Sequence, residues 1–190
     1  MPKSISVSRL ALLFLLLFGL FGCNNSQKPA QTSEQNSGRP DRDTLLKKIQ
    51  FLEQKISTEQ AIDYKSGAEM VSAYLAFFNY YSKDAFSADY LFKAADITMN
   101  LKQSSKAIEL FRKVVEFYPD YKKSSFALFL QGFVYENQLK DFKEAKKIYE
   151  EVIRKYPHTK LADDASASIA NLGKSDEELI KEFEKKNKVN

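Results

Sequence analysis

One pattern occurs twice between Ala107 and Pro157. Ala107-x3-Phe111-x2-Val114-x4-Pro119 returns as Ala145-x3-Tyr149, then Val152-Ile153, then Pro157. Ala107 to Ala145, Phe111 to Tyr149 and Pro119 to Pro157 are each offset by 38 residues. A small residue, an aromatic and a closing proline at such an interval mark a helical hairpin repeat. Each hairpin of this kind buries its apolar face only by stacking on its neighbours. A fainter copy precedes these two. Met70, Tyr74, Phe77 and Ser82 stand 37 residues before Ala107, Phe111, Val114 and Pro119. Its departures suit the end of an array, where atypical copies are expected.

The helices follow from periodicity and punctuation. Leu45, Ile49, Leu52 and Ile56 form one apolar stripe over Asp43–Ile56, with Asp41 or Asp43 to cap its start. The stripe suits either a cap packed on the repeats or a short dimerising coiled coil. Two heptads are few for a coiled coil, which favours the cap. Ser57–Ser66 is mixed in character, and Gly67–Tyr81 resumes a helical pattern. Ser87–Leu101 follows, with Tyr90, Leu91, Ala94, Ala95 and Ile97 or Thr98 facing inward. Ser104 or Ser105 can cap a helix that runs to Phe117 and stops before Tyr118-Pro119. Ser124–Gln138 is the next first helix. Asp141 caps a helix to Lys155, and Tyr156-Pro157 closes that copy. Leu161–Leu172 is rich in Ala and Ser, and Gly173 is a natural C-cap. Ser175-x-x-Glu178 is a capping box opening a last helix, Asp176–Lys186, read as a terminal cap through Leu179, Ile180 and Phe183.

These spacings resemble the tetratricopeptide repeat. The better copy matches through Leu128, Gly132, Tyr135, Ala145, Tyr149 and Pro157, with one extra residue in its turn (NQLKD) and Gln131 where Leu is usual. The other matches through Leu91, Ala94, Ala95, Ala107, Phe111, Val114 and Pro119, with Ala95 for Gly and Thr98 for Tyr. The resemblance covers residues 67–172 and implies an all-α fold: a short α-solenoid of antiparallel hairpins, with repeats over 67–173 and capping helices at 41–66 and 174–190. Tyr156, Pro157, Ala162 and Ala165 are further similar to periplasmic repeat lipoproteins of the BamD and Tol–Pal-associated types. Family function resides on the concave face built from the first helices. Its positions here are Asp89, Phe92, Asp96 and Met99, then Phe126, Phe129, Phe133 and Glu136. They imply an apolar groove flanked by Asp96 and Glu136, fit for a peptide segment with a basic residue. A terminal helix covering the same rings is the competing arrangement. Phe92 and Phe129 stand where peptide-carboxylate clamps place Lys or Asn, so capture of a C-terminal carboxylate is disfavoured.

The N-terminal segment is of another kind. Lys3 and Arg9 precede the unbroken apolar run Leu10–Phe21, about half of what a membrane-spanning helix needs. Leu20-Phe21-Gly22-Cys23 resembles the bacterial lipobox, although Phe21 is bulky for its place. This implies a signal peptide over 1–22 and lipidation of Cys23, the chain's single cysteine. Asn24 is not the aspartate that retains proteobacterial lipoproteins in the inner membrane. The outer membrane is therefore implied, and the lack of an acidic run after Cys23 favours its periplasmic side. Asn24–Pro40 holds no large apolar residue and reads as a tether spanning on the order of 23 Å.

Composition narrows the function classes. The formal charge is +4, and removing Lys3 and Arg9 leaves 27 basic against 25 acidic residues, too even a balance to argue for nucleic acid. One cysteine allows no internal disulfide, and one histidine, His158, gives no nucleophile–base pair or zinc set. Glu150-Glu151 and Asp163-Asp164 are adjacent on helices and diverge. No Gly-rich phosphate loop, cofactor site or metal site is expected. The expectation is a non-catalytic adaptor for a protein or peptide partner, anchored in the bacterial envelope and serving its assembly or maintenance. A self-associating structural lipoprotein, dimerising through Leu45–Ile56, is the alternative. An accessory subunit of an envelope enzyme is a weaker one.

Overall fold

The computed structural model describes residues 38–58 and 63–187. The expected signal peptide, Cys23 and most of the tether lie outside the described residues. Among the described residues, eight α-helices follow one another: α1 (Arg42–Ser57), α2 (Tyr64–Tyr81), α3 (Ser87–Asn100), α4 (Ser104–Phe117), α5 (Ser124–Val134), α6 (Phe142–Lys155), α7 (Lys160–Asn171) and α8 (Asp176–Asn187). A π-helical turn, Tyr135–Leu139, sits between α5 and α6. No strand occurs among the described residues. From α1 to α7 each helix packs on the next in chain order, as a stack of hairpins requires.

The repeat aromatics fill the seams. Phe77, Phe111 and Tyr149 are fully buried, each from the second helix of its hairpin. Ala107 and Ala145, one helical turn before Phe111 and Tyr149, are fully buried too. The small side chain there lets the partner helix close in. Gly132 serves the same end from the other side, its Cα lying under the Tyr149 ring. The first copy obeys the same rule, since Met70, Tyr74 and Phe77 of α2 are buried. Leu45, Ile49 and Leu52 of α1 are buried where α1 meets α2. That contact occupies the stripe a coiled coil would need.

Caps set the helix boundaries. Asp63 accepts from the Ser66 backbone N–H at 2.7 Å, so α2 begins at Tyr64, ahead of the expected Gly67. Asp141 accepts from Glu144 N–H at 3.1 Å. Ser175 and Glu178 form the reciprocal capping box, at 2.9 and 3.2 Å. Neither Ser104 nor Ser105 caps α4, whose N-cap is Gln103 and which has no side-chain cap. The Ser104 hydroxyl donates instead to Gln138 Oε1 at 2.7 Å.

Gln138 lies on the π turn, which is where the extra residue of NQLKD went. The helix expected to run from Ser124 to Gln138 leaves α geometry after Val134 and takes in the added residue as one wide turn. Lys140 then adopts φ 55°, as Lys102 does with φ 59° at the turn before α4. The bulge carries Gln138 to the preceding hairpin, where its amide donates to Met99 O at 3.0 Å.

Two tyrosines tie the loops that follow α2 and α4 back to earlier chain. Tyr81 donates to Pro40 O at 2.7 Å and Tyr118 to Ser82 O at 2.5 Å. Arg42 pairs with Asp84 at 2.6 Å and holds that carboxyl below the usual carboxylate range. At the other end, Ile180 of α8 is 58% exposed, so this residue gives none of the shielding expected of a terminal cap. Packing continues instead from α6 onto α7, through Ala162 and Ala165.

Among the described residues two buried polar atoms go unmet, one of them Ser124 Oγ. Gln131 is 4% exposed, and its Nε2 donor has no partner among the described residues. An unmet amide in an apolar seam costs on the order of 1–3 kcal/mol. Gln131→Leu is therefore expected to stabilise the protein by about 1 kcal/mol. Thermal unfolding followed by circular dichroism checks this, and a lowered midpoint would refute it.

Candidate functional site

Seven of the eight expected groove residues stand on the first helices α3 and α5, and Glu136 stands on the π turn that follows α5. These positions are not equivalent. Phe92 and Met99 belong to the core, at 7% and 8% exposure. Phe92 is held edge-on to Phe111 at 5.7 Å and stacked on Phe126 at 6.2 Å. Phe126 stacks in turn on Phe129 at 6.4 Å, and Phe129 tilts against Tyr149 at 5.2 Å. A continuous file of rings thus leaves the core at Phe111, reaches the surface at Phe126, and re-enters at Tyr149. Phe126 is 43% exposed and Phe133 39%, while Phe129 is half-buried.

The carboxylates divide as sharply. Asp89 accepts from the Tyr121 hydroxyl at 2.8 Å and pairs with Lys93 at 3.2 Å and Lys123 at 3.5 Å. Burial alone would raise its pKa, but these three partners outweigh burial and hold it below the usual carboxylate range. Glu136 accepts from the Tyr149 hydroxyl at 2.7 Å. Burial, and then that contact, push the Tyr149 phenol above its ordinary pKa. Asp96 is different. It is half-buried, and no hydrogen bond or ion pair reaches it among the described residues. Burial raises its pKa, and Lys123 only partly offsets this from a distance.

The surface available to a ligand is therefore Phe126, Phe129, Phe133 and Asp96. The expected lining by Phe92 and Met99 fails because both side chains turn into the seam between hairpins. The expected acidic flank at Glu136 fails because Tyr149 has already engaged it. Sequence reasoning missed Lys123, whose ammonium lies 4.8 Å from the centre of the Phe92 ring. It also missed Glu53, which binds Lys93 at 2.9 Å from α1. The Asp89–Lys93 pair was readable as an i,i+4 spacing. The other partners come from elsewhere in the chain, and no local spacing signals them.

No group of three or more His, Cys, Asp or Glu side chains among the described residues is placed to hold a metal ion. His158 is an exposed turn residue with φ 63°. Asp164 pairs with Lys160 at 3.0 Å, and Glu151 with Lys155 at 2.6 Å, as acids on solvated helix faces do. A cleft of about 370 Å³ runs beside α2, over Ala68, Ser72, Ala76 and Tyr80, and shares no residue with the aromatic file. No described helix is long and apolar enough to cross a membrane.

Residues 89–121 and 126–159 each match the family model of the tetratricopeptide repeat. These two segments are tetratricopeptide repeats. They coincide with the α3–α4 and α5–α6 hairpins, whose second helices carry Ala107 and Phe111, then Ala145 and Tyr149. The α1–α2 hairpin falls outside both matches, in keeping with Met70 and Ser82 at its signature positions. No curated protein matches the chain in sequence. Tetratricopeptide repeats are scaffolds for protein–protein contact and are typically non-catalytic, and such repeats point to a protein partner for this chain.

Proposed function

We propose that this chain is a non-catalytic adaptor that holds a segment of a partner protein against the exposed aromatic surface of α5. The observation that carries the reading is the exposure of Phe126 and Phe133 on a first helix of the repeats. Large rings held in water on a rigid helix are what a docking partner would cover. The adaptor is further read as a lipoprotein of the bacterial envelope, anchored through Cys23 to the outer membrane, facing the periplasm and serving envelope assembly or maintenance. The lipobox-like Leu20-Phe21-Gly22-Cys23 supports that part.

Phe126 and Phe133 are the two rings to change, because they are exposed while Phe129 is half-buried against Tyr149. In a crosslinking pull-down from cell envelopes, Phe126→Glu/Phe133→Glu is expected to lose one specific partner at unchanged helicity and melting temperature. A partner set identical to wild type would end the groove reading. Cys23→Ala is expected to release the chain from membranes, and its retention there would end the anchoring reading. A dimer through Leu45–Ile56 has less support, since Leu45, Ile49 and Leu52 are buried.

A further inference from the structure

The partner-facing surface has one unmet electrostatic demand. Of its three acids, Asp89 has three partners and Glu136 has the Tyr149 hydroxyl. Asp96 has none among the described residues, although it is half-buried. A carboxylate partly withdrawn from water loses hydration, and here no hydrogen bond or ion pair replaces it. Lys123, the one cation acting on it, is held at Asp89 and over the Phe92 ring. Asp96 lies one turn along α3 from Phe92. Phe129 lies one turn along α5 from Phe126, and Phe92 and Phe126 are stacked. Asp96 and Phe126 therefore flank the same Phe92 ring, and Phe133 stands two turns beyond Phe126 on α5.

We propose that this surface selects an arginine in the partner segment, whose guanidinium meets the Asp96 carboxylate while an adjacent apolar side chain packs on Phe126 and Phe133. The proposal rests on the reading of α5 as the partner-facing surface. Charge complementarity names a cation, and the rings choose which one. A guanidinium is planar, weakly hydrated and able to lie on an aromatic face while its edge binds a carboxylate in two places. An ammonium is a compact, strongly hydrated charge that meets only half of those terms. A ligand carboxylate is excluded, because it would place like charge beside Asp96.

The test is selection from a randomised dodecapeptide library on three immobilised forms of the full chain: wild type, Asp96→Asn and Phe126→Glu/Phe133→Glu. Wild type is expected to enrich peptides with arginine at a fixed spacing from a large apolar residue. Asp96→Asn is expected to keep the apolar residue and lose the arginine. The double variant is expected to lose both. A synthetic peptide of the wild-type consensus should bind Asp96→Asn at least about tenfold more weakly, and its Arg→Lys version should bind wild type more weakly. Peptides rich in apolar residues but without arginine on wild type would overturn the arginine inference and leave the aromatic surface standing. Equal enrichment on all three forms, or none on wild type, would overturn both. The wild-type selection decides the presence of arginine without reference to either variant's stability.

Discussion

Tyr149→Ala is expected to destabilise the protein by about 3–5 kcal/mol, the range for removing a fully buried aromatic side chain. Tyr149 has no exposed surface. Its ring lies over Gly132, contacts Phe129 at 5.2 Å, and bonds Glu136 through its hydroxyl at 2.7 Å. The substitution therefore opens a cavity, removes an aromatic pair, and leaves Glu136 without its donor. Stacked repeats are stabilised by nearest-neighbour interfaces, so the loss should be regional. Hydrogen exchange should show protection falling across α5, α6 and α7 while α2 and α3 keep theirs. Urea unfolding gives the total, and a cost below about 1 kcal/mol would show that the seam repacks around the missing ring.

Gly132→Ala is the second large effect, and it comes from adding one methyl group. A Cβ built on Gly132 falls 2.6 Å from Tyr149 Cε1 and 2.8 Å from Cδ1, distances that real side chains do not tolerate. The ring cannot swing clear, because Glu136 holds its hydroxyl and Phe129 lies against its face. Overpacking of this kind costs about 1–3 kcal/mol. The cause is separable from a general effect on α5, since Gly132→Ala should be nearly harmless in a Tyr149→Leu background. A double-mutant cycle measures that coupling, and additive costs would place the damage elsewhere.

Both variants test the part of the molecule that was most legible in sequence. Ala107, Phe111, Ala145 and Tyr149 declare themselves because a hairpin that stacks on copies of itself must repeat its contacts at a fixed interval. The capping box at Ser175 and Glu178 and the cap at Asp141 are equally plain, since each closes within three residues. What stayed hidden depends on partners far off in the chain. The π turn forms where Gln138 meets Met99 and Ser104, which lie 39 and 34 residues away. Glu136 was read as part of a free acidic flank because its captor, Tyr149, belongs to the next helix. Phe92 and Met99 stand at groove positions by register, yet a groove only two hairpins wide is mostly seam. Of the eight residues, only Phe126, Phe129, Phe133 and the unmatched Asp96 remain for a ligand.

The fastening of Gly38–Pro40 bears on how this molecule would carry load. Arg39 donates to Tyr80 O at 2.5 Å and lies 4.0 Å from the centre of the Tyr81 ring, while Tyr81 binds Pro40 O. Tension applied to the chain ahead of Gly38 therefore does not peel α1 away from its end. It enters the array at the last turn of α2 and passes through the Arg42–Asp84 pair into the loop before α3. A pull from a tether would therefore load the Arg39, Tyr81 and Arg42 contacts together before it loaded α1 alone.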